Sequence, residues 1–195
     1  DLLTKYTRGR ELYFATSADG RTWSGDTKLA GFGGHYQVSV AHGDRVGTFF
    51  NFHPGGDVNR RTNLYYMETP DGGRTWTTVD GKPLALPLAA EQNPAMVIDY
   101  RSQGRLMYGN DLAFTADGRP VMFYITATDW MPGPDPGPRD WRVTQWTGRE
   151  WTTTKVTSSD HNYDLGSLYI DGDTWHVIGP SRSEEHTSEL QSRQS

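Results

Sequence analysis

The strongest constraint on the fold is a short segment that occurs twice. The first copy runs from Ser17 to Trp23 and the second from Thr69 to Trp76, and both follow the pattern S/T-x-D-(G)-G-x-T-W. The aspartate side chain accepts hydrogen bonds from backbone N–H groups of its own turn, and glycine supplies a positive φ. Each copy follows a strand-like run, so each is predicted to close a hairpin, with its tryptophan packed between adjacent sheets.

The spacing of the two copies indicates a repeated unit. Their aspartates lie about 50 residues apart, the length of a four-stranded propeller blade. Two copies at this spacing resemble the Asp-box of sialidase-like propellers. We therefore predict an all-β chain, a β-propeller of four-stranded antiparallel blades with Asp-boxes. The sequence holds about three to four blades, so it is expected to be part of a larger ring of about seven.

Turn signals between apolar runs divide the chain into blades. Residues 1–30 are predicted to hold the last strands of a first blade. No capped apolar stripe with helical spacing is present, so no helix is predicted. The predicted strands are Tyr36–Ala41, Arg45–Phe52, Asn63–Glu68 and Trp76–Val79 in the second blade, Asp111–Thr115, Pro120–Ala127, Trp141–Trp146 and Trp151–Val156 in the third, and Leu165–Ile170 and Thr174–Ile178 in the fourth.

The two ends of the domain are also predicted. Residues 1–181 are assigned to one partial propeller domain. Residues 182–195 show no strand alternation and no apolar face, and they resemble the translation of a sequencing-adapter oligonucleotide. They are expected to be a non-native or disordered tail.

Composition limits the classes of function. The net charge is −5 and there is no long basic run, so a nucleic-acid partner is not expected. No apolar run reaches the roughly 18 residues that a membrane span requires. Cysteine is absent, which excludes disulfides, thiolate metal sites and a cysteine nucleophile.

One predicted loop of the second blade is more polar than a scaffold requires. It carries His53, Arg60 and Arg61 and leads into an aromatic strand. His35 begins the same blade. The start of the first strand and the end of the second share one rim in an antiparallel sheet, so the two histidines are predicted to meet there. The alternative is a solvated polar loop.

Other polar residues precede the first strands of later blades. His161 and Tyr163 stand before the fourth blade, and Asn93 stands before the third, with Tyr100 close behind. First strands line the axis of a propeller, so these residues are predicted to share one axial mouth with His35. The alternative for His161 is a capped turn.

The chain resembles the BNR-4 repeat family of carbohydrate-active propellers. Three strings carry the likeness: FNFHPGGDVNRRTNLYY from Phe50, DGGRTWTTVDGKP from Asp71, and SDHNYDLGSLYI from Ser159. It covers roughly residues 10–181. Related propellers include ulvan lyases, rhamnose–glucuronate lyases and an α-L-rhamnosidase group, all acting on glycans that contain uronate and rhamnose. The resemblance therefore implies a carbohydrate-active propeller.

The resemblance also implies roles for residues. Lyases of the family use paired histidines, a tyrosine and an arginine, and some bind zinc or calcium. The arginine corresponds to Arg60 or Arg61, and the tyrosine to Tyr100 or Tyr163. The expected catalytic residues are His35, His53, Arg61 and Tyr100, and the expected substrate-binding residues are Tyr36, Arg60, Tyr65, Asn93, His161 and Tyr163.

The same resemblance sets expectations for ligands and location. No cofactor is firmly implied, although a structural or catalytic zinc or calcium ion fits the family. The expected partner is an acidic polysaccharide or oligosaccharide. The protein is expected to be a monomer that is secreted or periplasmic.

These residue types suit β-elimination from a uronate. Arginine binds the carboxylate with a planar fork, histidine takes the α proton, and tyrosine returns a proton to the leaving oxygen. Two alternatives stay open. An exo-glycosidase such as an α-L-rhamnosidase usually requires two carboxylates, for which Asp57, Asp111 and Asp164 are candidates. A sialidase-like hydrolase would instead use an arginine cluster, for which Arg60 and Arg61 are candidates, and a tyrosine nucleophile with a carboxylate partner. A non-catalytic glycan-binding propeller would use exposed aromatic rings such as Tyr36, Tyr65 and Trp130.

Overall fold

The computed structural model describes residues 2–8, by their backbone alone, and residues 11–180. These residues contain strands, short 3-10 turns at Pro54–Gly56 and Val58–Arg60, and no α-helix. The predicted tail, residues 182–195, lies outside the described residues. The strands are β1 Leu2–Arg8, β2 Glu11–Ser17, β3 Thr27–Ala30, β4 Gln37–His42, β5 Arg45–Phe52, β6 Thr62–Thr69, β7 Met96–Ile98, β8 Leu106–Phe114, β9 Pro120–Ala127, β10 Arg139–Trp146, β11 Trp151–Ser159, β12 Ser167–Asp171 and β13 Thr174–Ile178.

The strands form antiparallel sheets that follow one another along the chain. Blade 1 has the order β1-β2-β3, blade 2 β4-β5-β6-β7, blade 3 β8-β9-β10-β11 and blade 4 β12-β13. The first strands β4, β8 and β12 are neighbours, so the blades radiate from a common hub. This arrangement is a partial β-propeller, and it confirms the predicted fold class.

Most predicted strands are confirmed, and one is wrong. The bounds of β5 and β9 are those predicted. The predicted fourth strand of blade 2, Trp76–Val79, makes only isolated bridges, from Thr77 to Glu68 and to Pro83. The backbone then reverses at a turn in which Thr78 N donates to the Lys82 carbonyl and Gly81 has a φ of 79°. This turn carries the chain away from the sheet, and β7 takes the edge position instead.

The two Asp-Gly turns have the predicted hydrogen bonds. Asp19 Oδ1 accepts from the backbone N–H groups of Arg21 and Thr22, both at 2.8 Å. Asp71 Oδ1 accepts from the backbone N–H of Thr75 at 2.8 Å. The carboxylate therefore satisfies donors within its own turn, which explains why aspartate stands at this position in both copies.

The two tryptophans of these turns behave differently. Trp76 is buried, and its ring lies 5.4 Å from that of Phe14 in blade 1. It closes the space between two sheets, as predicted. Trp23 is 43% exposed, so its predicted packing between sheets is wrong within the described residues.

The core lies between the faces of neighbouring blades. Adjacent side chains of one strand point to opposite faces. In β5, Phe50 belongs to the cluster between blades 1 and 2, and Phe49 belongs to the cluster between blades 2 and 3. A third cluster joins blades 3 and 4 around Phe123 and Trp141. Because inner strands are apolar on both faces, they read as continuous apolar runs.

The direction of the strands fixes two rims. We call the rim at which β4, β8 and β12 begin the entry rim. The β5–β6, β9–β10 and β11–β12 connections lie at this rim, because the sheets are antiparallel. The Asp-Gly turns lie at the opposite rim. Among the described residues, no helix is long and apolar enough to cross a membrane.

Candidate functional site

His53 directly follows β5 at the entry rim, and hydrogen bonds of its backbone hold it there. Its N–H donates to the Gly34 carbonyl at 2.8 Å, and its own carbonyl accepts from Gly56 N at 2.8 Å. The imidazole lies against Gly34, where a Cβ would be 2.5 Å from His53 Nδ1. Glycine at position 34 is therefore required for the ring to take this place. His53 Nε2 is buried and has no hydrogen-bond partner among the described residues.

Arg61 lies at the centre of the polar group at this rim. Its Nε donates to the Val58 carbonyl at 2.7 Å, which fixes the side chain to the preceding 3-10 turn. Its Cζ lies 5.2 Å from the centre of the Tyr36 ring, 4.7 Å from that of Tyr108 and 6.0 Å from that of Tyr163. We call Arg61 and these three tyrosines the arginine cage. Among residues 11–180, Arg61 forms no salt bridge with a carboxylate.

The arginine cage is continuous with two histidines. The ring of Tyr36 lies 4.7 Å from that of His53, in an edge-to-face arrangement. The ring of Tyr163 lies 5.6 Å from that of His161. In this chain of contacts, Arg61 stands between His53 at one end and Tyr163 and His161 at the other. Tyr36 and Tyr163 are 49% and 48% exposed, so the cage is open to solvent through these two rings.

Electrostatics keeps His53 neutral. Burial is the largest of the causes that lower its pKa to about 4; the positive charge of Arg61 and the nearby His35 act in the same direction, and Asp57 acts in the opposite direction. Near pH 7 the ring is an uncharged imidazole with a nitrogen lone pair. Among residues 11–180, no carboxylate pairs with the Arg61 guanidinium beside this ring, so the environment is suited to an anionic ligand.

His35 is placed at the same rim but in different surroundings. It is fully buried, and its ring lies 4.6 Å from Phe32 and 5.5 Å from Phe50, within the cluster between blades 1 and 2. Its Nδ1 donates to the Asn51 carbonyl at 2.8 Å, and burial lowers its pKa to about 4. The structure therefore does not bring both imidazoles to the arginine cage, and only His53 packs against it.

Two tyrosines predicted for the site lie in the core instead. The hydroxyl of Tyr100 forms a hydrogen bond of 2.8 Å with that of Tyr124 between blades 2 and 3, and burial raises its pKa. Tyr65 is fully buried and stacks on Phe50, and its hydroxyl donates to the Glu91 carbonyl. Tyr65 lies in β6, which is buried at every position, and Tyr100 follows the edge strand β7 and is buried as well, so neither is presented at the rim.

The other predicted residues are at or near the surface. Arg60 is exposed and directly precedes Arg61 in the chain. The side chain of Asn93 bonds to backbone groups of Ala90, Glu91 and Ala95, because it precedes the edge strand β7 and not the hub strand β8. His161 Nδ1 accepts from Tyr163 N at 3.1 Å, which gives the capped turn that was its alternative interpretation.

Sequence reasoning missed Tyr108. It lies in β8, whose predicted start at Asp111 was five residues too late because a bulge between Gly109 and Asp111 interrupts the alternation. The apolar run Leu106-Met107-Tyr108 was the available signal. Asn162 was also not assigned a role, although its Nδ2 donates to the Tyr108 hydroxyl at 3.2 Å.

The described residues offer no cluster that fits a metal ion. No group of three or more histidine, cysteine, aspartate or glutamate side chains lies close enough to hold one in the described part of the chain. Two of the three carboxylates considered for a glycosidase are engaged in structure. Asp57 Oδ1 accepts from Asn59 N, and Asp111 Oδ2 accepts from Leu168 N at 2.8 Å, which ties blade 3 to blade 4.

A comparison with known protein families shows the family to which the chain belongs. Residues 35–159, more than half of the chain, match the model of the BNR repeat-containing family. The chain belongs to this family. The matched range of the BNR repeat-containing family covers blades 2 and 3 and includes His53, Arg61 and Tyr108. No curated protein matches the sequence.

Solved structures show the same fold. This member of the BNR repeat-containing family is similar to two structures of a PL25 ulvan lyase, a polysaccharide lyase, one of them bound to -[GlcA(1-4)Rha3S]-. In each case the TM-score is 0.71, the identity is 18%, and the match covers 89% of this chain. The chain spans 44% of the length of those chains. The similarity in structure is therefore one of fold, and the fold is that of a propeller.

Proposed function

We propose that the protein is a polysaccharide lyase that cleaves uronate-containing glycan by β-elimination. The observation that carries the proposal is Arg61, which is packed among three tyrosine rings and makes no salt bridge among the described residues. One of these rings, that of Tyr36, also contacts the neutral, buried His53. The similarity in fold to an ulvan lyase bound to a glucuronate–rhamnose glycan supports the same class of substrate.

Arg61 binds the uronate carboxylate in this mechanism. Removal of the proton α to a carboxylate leaves negative charge on the carboxylate oxygens, and a guanidinium stabilises that charge with two parallel hydrogen bonds. The tyrosine rings hold the guanidinium in place and exclude part of the water around it. Because the local dielectric is low, the interaction is stronger than it would be on an open surface.

His53 takes the α proton through Nε2. Its pKa is about 4 in the free protein, so the lone pair is available near neutral pH. A bound carboxylate offsets the charge of Arg61 and raises the pKa of His53, which makes it a stronger base when substrate is present. Tyr36 packs against the imidazole and is half exposed, so a rotation of this ring opens His53 to the mouth.

Tyr163 returns a proton to the oxygen that leaves. His53 contacts Tyr36, Tyr36 contacts Arg61, and Arg61 in turn contacts the Tyr163 ring, which is half exposed. Atoms balance without a further reactant, because the C–H bond and the C–O bond break while a C=C bond forms. His53 ends protonated and Tyr163 ends deprotonated, and the solvent restores both. We propose a secreted or periplasmic site of action, since polymeric substrates of this kind lie outside the cell.

One assay tests the proposal. The protein is incubated with glucuronate–rhamnose polysaccharide, and the ultraviolet absorbance of an unsaturated uronate is followed together with new reducing ends. A rise in both supports a lyase. New reducing ends without the absorbance would identify a glycoside hydrolase instead. Binding of the glycan with neither product would identify a non-catalytic glycan-binding propeller.

A further inference from the structure

The connection between β9 and β10, residues 128–138, lies at the entry rim beside the arginine cage. It presents two large apolar side chains to solvent, since Trp130 is 46% exposed and Met131 is 51% exposed. A tryptophan side chain has an apolar ring face and a polar N–H, so an exposed one can pack on the apolar part of a ligand. Trp130 therefore suits a ligand whose charged group binds Arg61 at the same rim.

This loop is held in place by buried polar groups. Arg139 is fully buried, and it donates from Nη2 to the Met131 carbonyl and from Nη1 to the Gly137 carbonyl, both at 2.6 Å. Asp129 Oδ1 accepts from Met131 N at 2.9 Å. The backbone that carries Trp130 is therefore fixed, so a ligand that contacts the indole orders less of the protein on binding.

A single amide joins the loop to the arginine cage. Asn162 is fully buried, and its Nδ2 donates to the Trp130 carbonyl at 3.0 Å and to the Tyr108 hydroxyl at 3.2 Å. The Tyr108 ring lies under the Arg61 guanidinium. The position of Trp130 is thus set relative to Arg61 through two hydrogen bonds from one side chain.

Asn162 also has an acceptor that is not used within the described residues. Its Oδ1 is buried and has no hydrogen-bond partner there. A buried amide oxygen without a partner is costly, so the two hydrogen bonds from Nδ2 hold this side chain in place at the expense of its oxygen.

We infer that Trp130 is the stacking platform for the sugar next to the uronate held by Arg61, so that the mouth binds at least two consecutive sugars. The inference rests on the proposed function, because it takes the uronate at Arg61 as its reference point. The apolar face of the second ring lies on the indole, and its hydroxyls face the rim. The affinity of the protein for a glycan then depends on the number of sugars in the glycan as well as on the charge of the uronate.

Calorimetric titration with two ligands tests this. Free glucuronate reports the Arg61 position, and a tetrasaccharide of alternating glucuronate and rhamnose reports both positions. Trp130→Ala is expected to weaken tetrasaccharide binding about tenfold or more, equivalent to about 1.4 kcal/mol, and to leave glucuronate binding within about twofold. Trp130→Phe retains an aromatic face and is expected to recover most of the affinity.

The chain supplies a matched control. Trp23 is exposed to a similar extent, 43%, and lies at the opposite rim, so Trp23→Ala is expected to bind both ligands like the unmodified protein. Equal tetrasaccharide affinity in the two alanine variants would overturn the inference, and so would an equal loss for both ligands in Trp130→Ala. If the unmodified protein binds neither ligand, the proposed function fails as well. If it binds both but cleaves nothing, only the lyase proposal fails.

Discussion

The α-carbon of Gly34 faces the His53 ring so closely that an added Cβ would lie 2.5 Å from Nδ1. The two residues also share a backbone bridge across the start of blade 2. The place of the imidazole at the entry rim therefore depends on a residue that carries no side chain.

Gly34→Ala is expected to displace His53 and to lower both stability and turnover. Overpacking of this kind costs about 1–3 kcal/mol. The free energy of unfolding and the rate of cleavage measure the two effects. Gly25→Ala is the control, because a Cβ at Gly25 meets nothing within 4 Å. A Gly34→Ala protein with unchanged activity would show that the position of His53 is not critical.

Arg61→Ala is expected to lower kcat/KM about 10²–10³-fold, because the charge that stabilises the developing carbanion is lost. Arg60 is the adjacent exposed residue and lies outside the arginine cage, so Arg60→Ala should change kcat/KM far less. Steady-state kinetics on the uronate polysaccharide compares the two. Equal losses would mean that the loop contributes only general positive charge.

His53→Ala is expected to lower kcat about 10²–10⁴-fold with little change in the affinity for glycan. His42, stacked on Phe114 at the opposite rim, provides the control His42→Ala. In the unmodified protein the base is active when deprotonated, so kcat/KM should fall as the pH drops through the free-protein pKa of about 4. An unaffected His53→Ala protein would exclude His53 as the base.

Stability should depend on pH through the two buried histidines. The pKa values of His35 and His53 are lowered from 6.5 to about 4 in the folded protein. Between these values the unfolded chain binds more protons, so stability is retained above about pH 6.5 and lost as the pH falls to about 4, by on the order of 3 kcal/mol per histidine. Melting temperature against pH measures this, and His53→Gln should reduce the slope; an unchanged slope in His53→Gln would contradict the prediction.

The two turn tryptophans should differ in their effect on stability. Trp76→Ala removes the ring that packs on Phe14 between blades 1 and 2, and the cavity should cost about 3–5 kcal/mol. Trp23→Ala, at an exposed ring, should stay within about 0.5 kcal/mol. Denaturant unfolding of both variants compares them. Similar costs would show that the Trp76 contact does not join the blades.

Much of the fold follows from local sequence signals. The Asp-Gly turns could be predicted because the aspartate bonds to its own turn, and β5 and β9 because glycine-containing turns bound long apolar runs. The edge strand β7 could not be predicted, since a strand of three residues is too short to show an alternation of apolar and polar residues. Its place is decided by where the Asp80–Gly81 turn redirects the chain.

The site was predictable only in part. Arg61 and Tyr36 were recognisable because polar and aromatic residues crowd a short segment of blade 2. The separation of His35 from His53 could not be recognised in the sequence, because it depends on which neighbouring blade each ring packs against. Tyr108 and Asn162 come from elsewhere in the chain, and their contact with the arginine cage exists only once the blades are assembled.

The arginine cage takes Arg61 and Tyr36 from blade 2, Tyr108 from blade 3, and Tyr163 from the connection that leads to blade 4. No single sheet carries enough of it to work alone. The smallest portion of such a ring that could be duplicated, exchanged or grafted together with its chemistry is therefore a run of consecutive blades with their hub contacts intact. Recombination within that run would scatter the site even where every strand still folded.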